Sequence, residues 1–120
     1  MHGLGELESA VMDVLWRADG PVRVRDVRQR LDVGRTLAYT TVMTVLDNLH
    51  RKGWVRRELA GKAYRYATAT SREEAAARAL REVIDGSGDP DAVLLHFARS
   101  VSEHESSVLR AALEERRDER

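Results

Sequence analysis

The 120-residue chain contains no cysteine. That absence removes disulfides, thiolate metal centres and a cysteine nucleophile together, while leaving the redox compartment open. Long apolar runs are also missing. No stretch approaches the roughly 20 apolar residues of a membrane span, and Met1-His2-Gly3-Leu4-Gly5 does not read as a secretory signal. A cytoplasmic protein with no membrane partner is the expectation. Catalytic constellations are lacking as well: there is no Ser-His-Asp set, phosphate loop or carboxylate pair in a fitting context. The histidines are His2, His50, His96 and His104, and the last two lie eight apart across a predicted helix break, so they form no i, i+4 chelate. No catalytic residue, metal or cofactor is therefore expected. Net charge is absent too, with 20 basic and 20 acidic side chains, which at first speaks against a polyanionic partner.

The distribution of charge speaks the other way. Residues 1–16 hold three acids (Glu6, Glu8, Asp13) and no Lys or Arg, net −3. Residues 17–72 hold 13 Lys or Arg against five acids, net +8, and residues 73–120 hold seven Arg against 12 acids, net −5. A basic centre flanked by acidic ends fits a phosphate-facing surface in the middle of the chain. A solvated charge pattern without a partner is the plainer alternative. At this length one small domain, or one with an appendage, is expected, and a dimer would enlarge its modest core.

The most informative segment runs from Leu37 to Gly53. At helical pitch, Ala38, Val42, Val45, Leu46 and Leu49 fall on one face. Thr40, Thr44, Asp47 and Arg51 fall opposite, flanked by Met43 on one side and Thr41 and Asn48 on the other. Solvated helices favour Glu, Lys, Gln and Ala; β-branched threonines are poor helix formers. A threonine does offer a hydroxyl to a base edge and a methyl to thymine. Arg51 and Lys52 suit the helix C-terminus, and Gly53 suits a left-handed cap. Such a helix reads as a recognition helix, against the blander reading of an amphipathic helix with tolerated threonines.

Its neighbours support the sharper reading. A first helix is predicted from about Leu4 or Gly5 to Arg17, with Leu7, Val11, Val14 and Leu15 inward and Trp16 partly buried. Asp19-Gly20-Pro21 stops it, and Val22 is expected to form a short strand. A second helix covers Val24 to Leu31, burying Val24, Val27 and Leu31, with Arg25, Arg28, Gln29 and Arg30 free to reach a phosphate backbone. Arg23 stands at its N-cap, where Ser or Thr would serve better. A break near Gly34 follows, with Thr36 a candidate cap for the recognition helix and Arg35 either solvated or near phosphate. Trp54–Leu59 and Ala63–Ala67 read as strands joined at Ala60-Gly61-Lys62, a hairpin with a basic tip. One of Tyr64 and Tyr66 is expected to pack on the core. Helix-turn-helix plus hairpin makes a winged helix. Beyond Ser71, a capping signal opens a helix from Arg72 to Asp85. Two more follow, Asp91 to Val101 and one after Ser102, the latter fraying from Glu114. Three short amphipathic helices need a partner to close a core, and a second copy is the simplest one.

The string Ala38-Tyr39-Thr40-Thr41-Val42-Met43-Thr44-Val45-Leu46, with Lys52-Gly53 and Gly61-Lys62-Ala63-Tyr64-Arg65-Tyr66, resembles the penicillinase-repressor family (BlaI/MecI/CopY type). Glu8–Trp16 is similar to that family's first helix, so the resemblance spans nearly the whole chain. It implies a repressor that binds dyad-symmetric operators with half-sites of the TACA/TGTA type. Copper-responsive members carry C-terminal cysteines, which this chain lacks. In antibiotic-responsive members a membrane sensor-protease pathway leads to cleavage at an Asn-Phe bond. The matching place here is His96-Phe97, with His96 where the asparagine would stand. Cleavage there by a regulatory protease is one expectation, and Phe97 as a plain dimer-core residue is the other.

The fold expected is mainly α with a small β wing (α+β): a winged helix-turn-helix DNA-binding domain over residues 1–71 and a C-terminal helical dimerisation region over residues 72–120. The expected partners are double-stranded operator DNA and a second copy. Thr40, Thr41, Met43 and Thr44 are the base-edge candidates, and Tyr39 could reach base or backbone. Arg51, Lys52 and Lys62 are the phosphate candidates. Two rivals stay open: a winged-helix regulator gated by a small ligand, and a winged-helix module that binds an acidic protein.

Overall fold

The computed structural model describes residues 4–119. Their elements run α1 (Glu6–Arg17), β1 (Val22–Arg23), α2 (Val24–Arg30), α3 (Tyr39–Arg51), β2 (Val55–Ala60), β3 (Ala63–Thr68), α4 (Arg72–Asp85), α5 (Pro90–Ser100) and α6 (Glu103–Asp118). The chain divides into two compact units between Ala79 and Leu80, inside α4. The boundary expected at residue 72 lies at the start of that helix, eight residues before this division.

In the first unit, α1, α2 and α3 pack with a three-stranded antiparallel sheet of order β1-β3-β2. Val11, Met12, Val27, Val42, Leu46, Leu49 and Tyr66 are its fully buried large side chains. Val11 and Leu15 face inward as the periodicity predicts, but Leu7 and Val14 sit at the rim, and Met12 takes the central place on α1. The unbranched thioether adapts to a gap between helices that a period count does not foresee. Val42, Val45, Leu46 and Leu49 are buried on α3. Ala38, however, is exposed, and Leu37 is the buried residue of that pair. The reason is that α3 begins only at Tyr39, so Ala38 is its extended N-cap and Thr36 is too far upstream to cap it.

Two local motifs place α3 and the wing. At the end of α3, Gly53 adopts φ +80°, its N–H donates to the His50 carbonyl and the Trp54 N–H to the Leu49 carbonyl. This double closure is a Schellman motif and turns the chain directly into β2. At the wing tip, Ala60 pairs with Ala63 across Gly61 and Lys62. Gly61 has φ +72°, the positive value that a glycine-first two-residue hairpin turn requires. At the other edge of the sheet, Val22 pairs with Tyr66 and Arg23 with Arg65. Arg23 therefore serves as both strand residue and N-cap of α2, which accounts for the missing Ser or Thr.

The first turn of α4 is fastened to α1. The Trp16 indole N–H donates to the Thr70 carbonyl at 2.9 Å, and the Arg72 guanidinium lies 5.0 Å over the Trp16 ring and 3.3 Å from Asp13. Ser71 Oγ accepts from the Glu74 N–H at 3.1 Å, as the capping signal predicts.

In the second unit, Asp89 caps α5 by accepting from the Ala92 N–H, and Pro90 occupies the first helical position. Ser102 and Glu105 close a reciprocal capping box on α6, and hydrogen bonds from the Ser102 backbone N–H and side chain hold the Glu105 carboxyl below the usual range. This helix does not fray at Glu114; it continues to Asp118, with Arg116 and Arg117 in the last turn where cations favour it. Neither α5 nor α6 buries any residue.

Candidate nucleic-acid interface

Thr40, Thr41, Met43 and Thr44 all project from α3 into solvent, as does Tyr39 in its first turn. Burial of the opposite face leaves them no core to join. The Thr44 hydroxyl donates to the Thr40 carbonyl at 2.9 Å, so its lone pairs and methyl remain for an outside partner. Arg51 is exposed and hydrogen-bonded to the Asn48 side chain.

Tyr39, Met43 and Lys62 meet along one groove of about 350 Å³ between α3 and the wing, whose floor is Val24 and Tyr66 and whose far side is Tyr64. Here the helix and the hairpin are tied together. Arg57 Nη1 lies 3.0 Å from Asp47 Oδ1, and the Tyr66 hydroxyl donates to the same oxygen at 3.4 Å. The Arg57 guanidinium also stacks 4.3 Å above the Tyr64 ring, and Tyr64 meets Tyr66 edge-on. Tyr66 is thus the core tyrosine and Tyr64 the exposed one. Burial raises the Tyr66 hydroxyl above its ordinary value, with Asp47 adding to the effect and Arg57 opposing it. The Tyr66 hydroxyl in turn holds Arg57 firmly protonated. The sequence places Asp47 on the outer side of α3 but does not show its partner; the signal was the shared face of Arg57, Tyr64 and Tyr66 on the wing.

Lys52 lies elsewhere. Its ammonium sits 2.8 and 2.9 Å from the two carboxylate oxygens of Glu8 on α1. Burial alone would raise the Glu8 carboxyl, but Lys52 and the Gly5 N–H hold it below its ordinary value. Arg28 is likewise engaged, its Nε donating at 2.6 Å to the Leu37 carbonyl ahead of α3. It therefore fixes the turn between the two helices, a partner the sequence, which shows only an arginine free to reach a phosphate backbone, does not reveal. His96 and Phe97 are both exposed on α5. Among the described residues no group of three His, Cys, Asp or Glu is placed to hold a metal ion, and no helix is long and apolar enough to cross a membrane.

A helix-turn-helix whose second helix presents a polar row beside a basic-tipped hairpin defines a winged-helix transcription regulator of the DNA-binding class. Residues 4–115 match the family model for penicillinase repressors. The transcriptional regulator BlaI of Mycobacterium tuberculosis, in strains CDC 1551 and H37Rv, is 43% identical over 115 residues, covering 93% of this chain and 83% of the relative. The chain belongs to the penicillinase repressor family. Among solved structures, the DNA-binding domain of the repressor BlaI matches with a TM-score of 0.52 at 22% identity, over 62% of this chain and 93% of that one. Streptococcus pneumoniae FabT, solved in complex with DNA, matches with a TM-score of 0.50 at 20% identity, over 97% of this chain and 75% of that one. These two likenesses bear on the winged-helix fold.

Proposed function

We propose that the protein represses transcription as a homodimer that occupies dyad-symmetric promoter operators. The observation that carries this reading is the exposed row of Thr40, Met43 and Thr44 beside the wing-tip Lys62, on a unit otherwise well packed. In this reading α3 enters the major groove and the wing straddles the adjoining backbone. Thr40, Thr41, Met43 and Thr44 touch base edges, and Tyr39 touches base or backbone. Arg51 and Lys62 meet phosphates, and Lys52 joins them only by leaving Glu8.

The second copy is called for by the C-terminal helices. Leu94, Leu95, Phe97, Val108, Leu109 and Leu113 are all large, apolar and exposed. Fully burying one such side chain stabilises by about 1.5–3 kcal/mol, so a dimer interface over residues 72–120 has ample drive. Half-sites of the TACA/TGTA type and relief by proteolysis at His96-Phe97 complete the proposal. Because that bond lies inside α5, cleavage requires local unwinding first. Sedimentation of the purified chain, with footprinting on promoter fragments against bulk competitor DNA, tests the core of the reading. A dimer protecting a two-fold site supports it; a monomer without preference for any fragment overturns it.

A further inference from the structure

Asp47 poses a problem for any phosphate-facing surface. It follows Thr40 by seven residues and Thr44 by three, and precedes Arg51 by four, so it stands at the centre of the exposed row of α3. A carboxylate there repels a polyanion unless it has a use. Its geometry is that of a group being aimed. Arg57 Nη1 at 3.0 Å and the Tyr66 hydroxyl at 3.4 Å both fall on Oδ1, and among the described residues Oδ2 has no partner. The Asp47 side chain is 48% exposed, against 28% for the Arg57 that holds it. Arg57 is itself fixed over the Tyr64 ring. One oxygen is therefore clamped by the wing, and the other is left open on the helix face.

We propose that Asp47 is a specificity-determining residue, whose free Oδ2 accepts a hydrogen bond from the exocyclic amine of a cytosine in the major groove. This rests on the repressor reading above and sharpens it. The chemistry selects among bases. Cytosine presents the N4 amine as a donor, whereas guanine presents two acceptors, thymine an acceptor and a methyl, and adenine an acceptor beside its donor. A carboxylate held rigidly in place meets lone pairs on each of the other three, so it discriminates by repulsion as well as attraction. Arg57 and Tyr66 act as positioning residues. They fix the carboxylate before DNA arrives, and Arg57 offsets part of its charge, which reduces the ordering cost of the contact.

The test is selection from a randomised duplex library, followed by affinities for every single-base variant of the recovered half-site. It uses the full chain with Asp47, Asp47→Ala and Asp47→Asn. The original chain should show one cytosine whose replacement weakens binding about five- to a hundredfold. Asp47→Ala should lose discrimination at that position alone while binding random duplex more tightly, because a carboxylate that repels phosphate is gone. Asp47→Asn keeps an acceptor for Arg57 and Tyr66, so it guards against a folding defect in the alanine variant. With Oδ1 still held there, the open position carries the Nδ2 amide, a donor, so the preference at the same position should shift away from cytosine towards guanine, which presents two acceptors. If both variants keep the original preference at every position, whatever their overall affinity, Asp47 is only a brace for the wing and the proposal is overturned. An original chain with no base preference anywhere would instead overturn the repressor reading, and this inference with it.

Discussion

At the scale of single residues, the threonines of α3 carry the argument. A β-branched residue on a solvent face costs helix stability, and Thr40, Thr41 and Thr44 do so within two turns. Thr44 shows how such a side chain remains useful, its proton spent on the Thr40 carbonyl and its acceptor side left open. Replacing Thr44 by Ala is expected to weaken operator binding by about 1–3 kcal/mol while leaving random duplex nearly unaffected. Competition gel shifts with the two DNAs check this, and equal losses on both would remove Thr44 from the base-reading set. The residues that periodicity could see were local ones. Val42, Val45, Leu46 and Leu49 announce their burial through spacing, and Gly53 announces its cap. Lys52 and Glu8 are 44 positions apart, and Arg28 reaches a carbonyl nine positions on. No window of sequence displays such pairings, so the intramolecular partners of these cations could not be read from it.

At the scale of elements, the wing and the α1–α3 junction respond to different variables. Lys62 stands at the hairpin tip, with no salt bridge among the described residues. If it meets a phosphate, Lys62→Ala should weaken all duplexes about equally and lower the slope of log affinity against log salt by about 0.9. Titration of binding at several salt concentrations reads this directly, and an unaltered slope removes the contact. The Glu8–Lys52 tie answers to pH. Its carboxyl is depressed in the folded chain, so its contribution is complete above the ordinary glutamate range and is lost as pH falls through the lower native value. Being partly exposed, the pair should be worth under about 1 kcal/mol. Glu8→Gln is accordingly expected to lower stability slightly at neutral pH and to flatten the acid limb of a denaturation series, with no such effect on operator specificity. The start of α3 shows why element edges were harder to read than element interiors. Thr36 is a good cap by type, yet Leu37 is drawn into the core, and the helix can begin only after it.

At the scale of the whole molecule, the two units differ in kind. The first closes a core with Met12, Leu46 and Tyr66 at its centre, whereas α5 and α6 bury no residue and expose most of their large apolar side chains. Amphipathic periodicity was enough to find these helices but could not say what covers them, because a face looks the same whether its partner is the same chain or another. Phe97→Asp places a charge in the middle of that face. In the dimer reading it should shift the sedimenting mass towards the monomer and lower operator affinity by about a hundredfold, as the second half-site no longer binds intramolecularly. A variant that stays dimeric and binds as before would place the interface elsewhere.

The bond from the Trp16 indole to the Thr70 carbonyl, under the Arg72 guanidinium, gives this molecule an optical reporter of its own. Indole emission responds to a lost hydrogen bond and to a departing cation. Loosening of the first turn of α4 would therefore register, without any added dye, in the emission of one of the chain's two tryptophans.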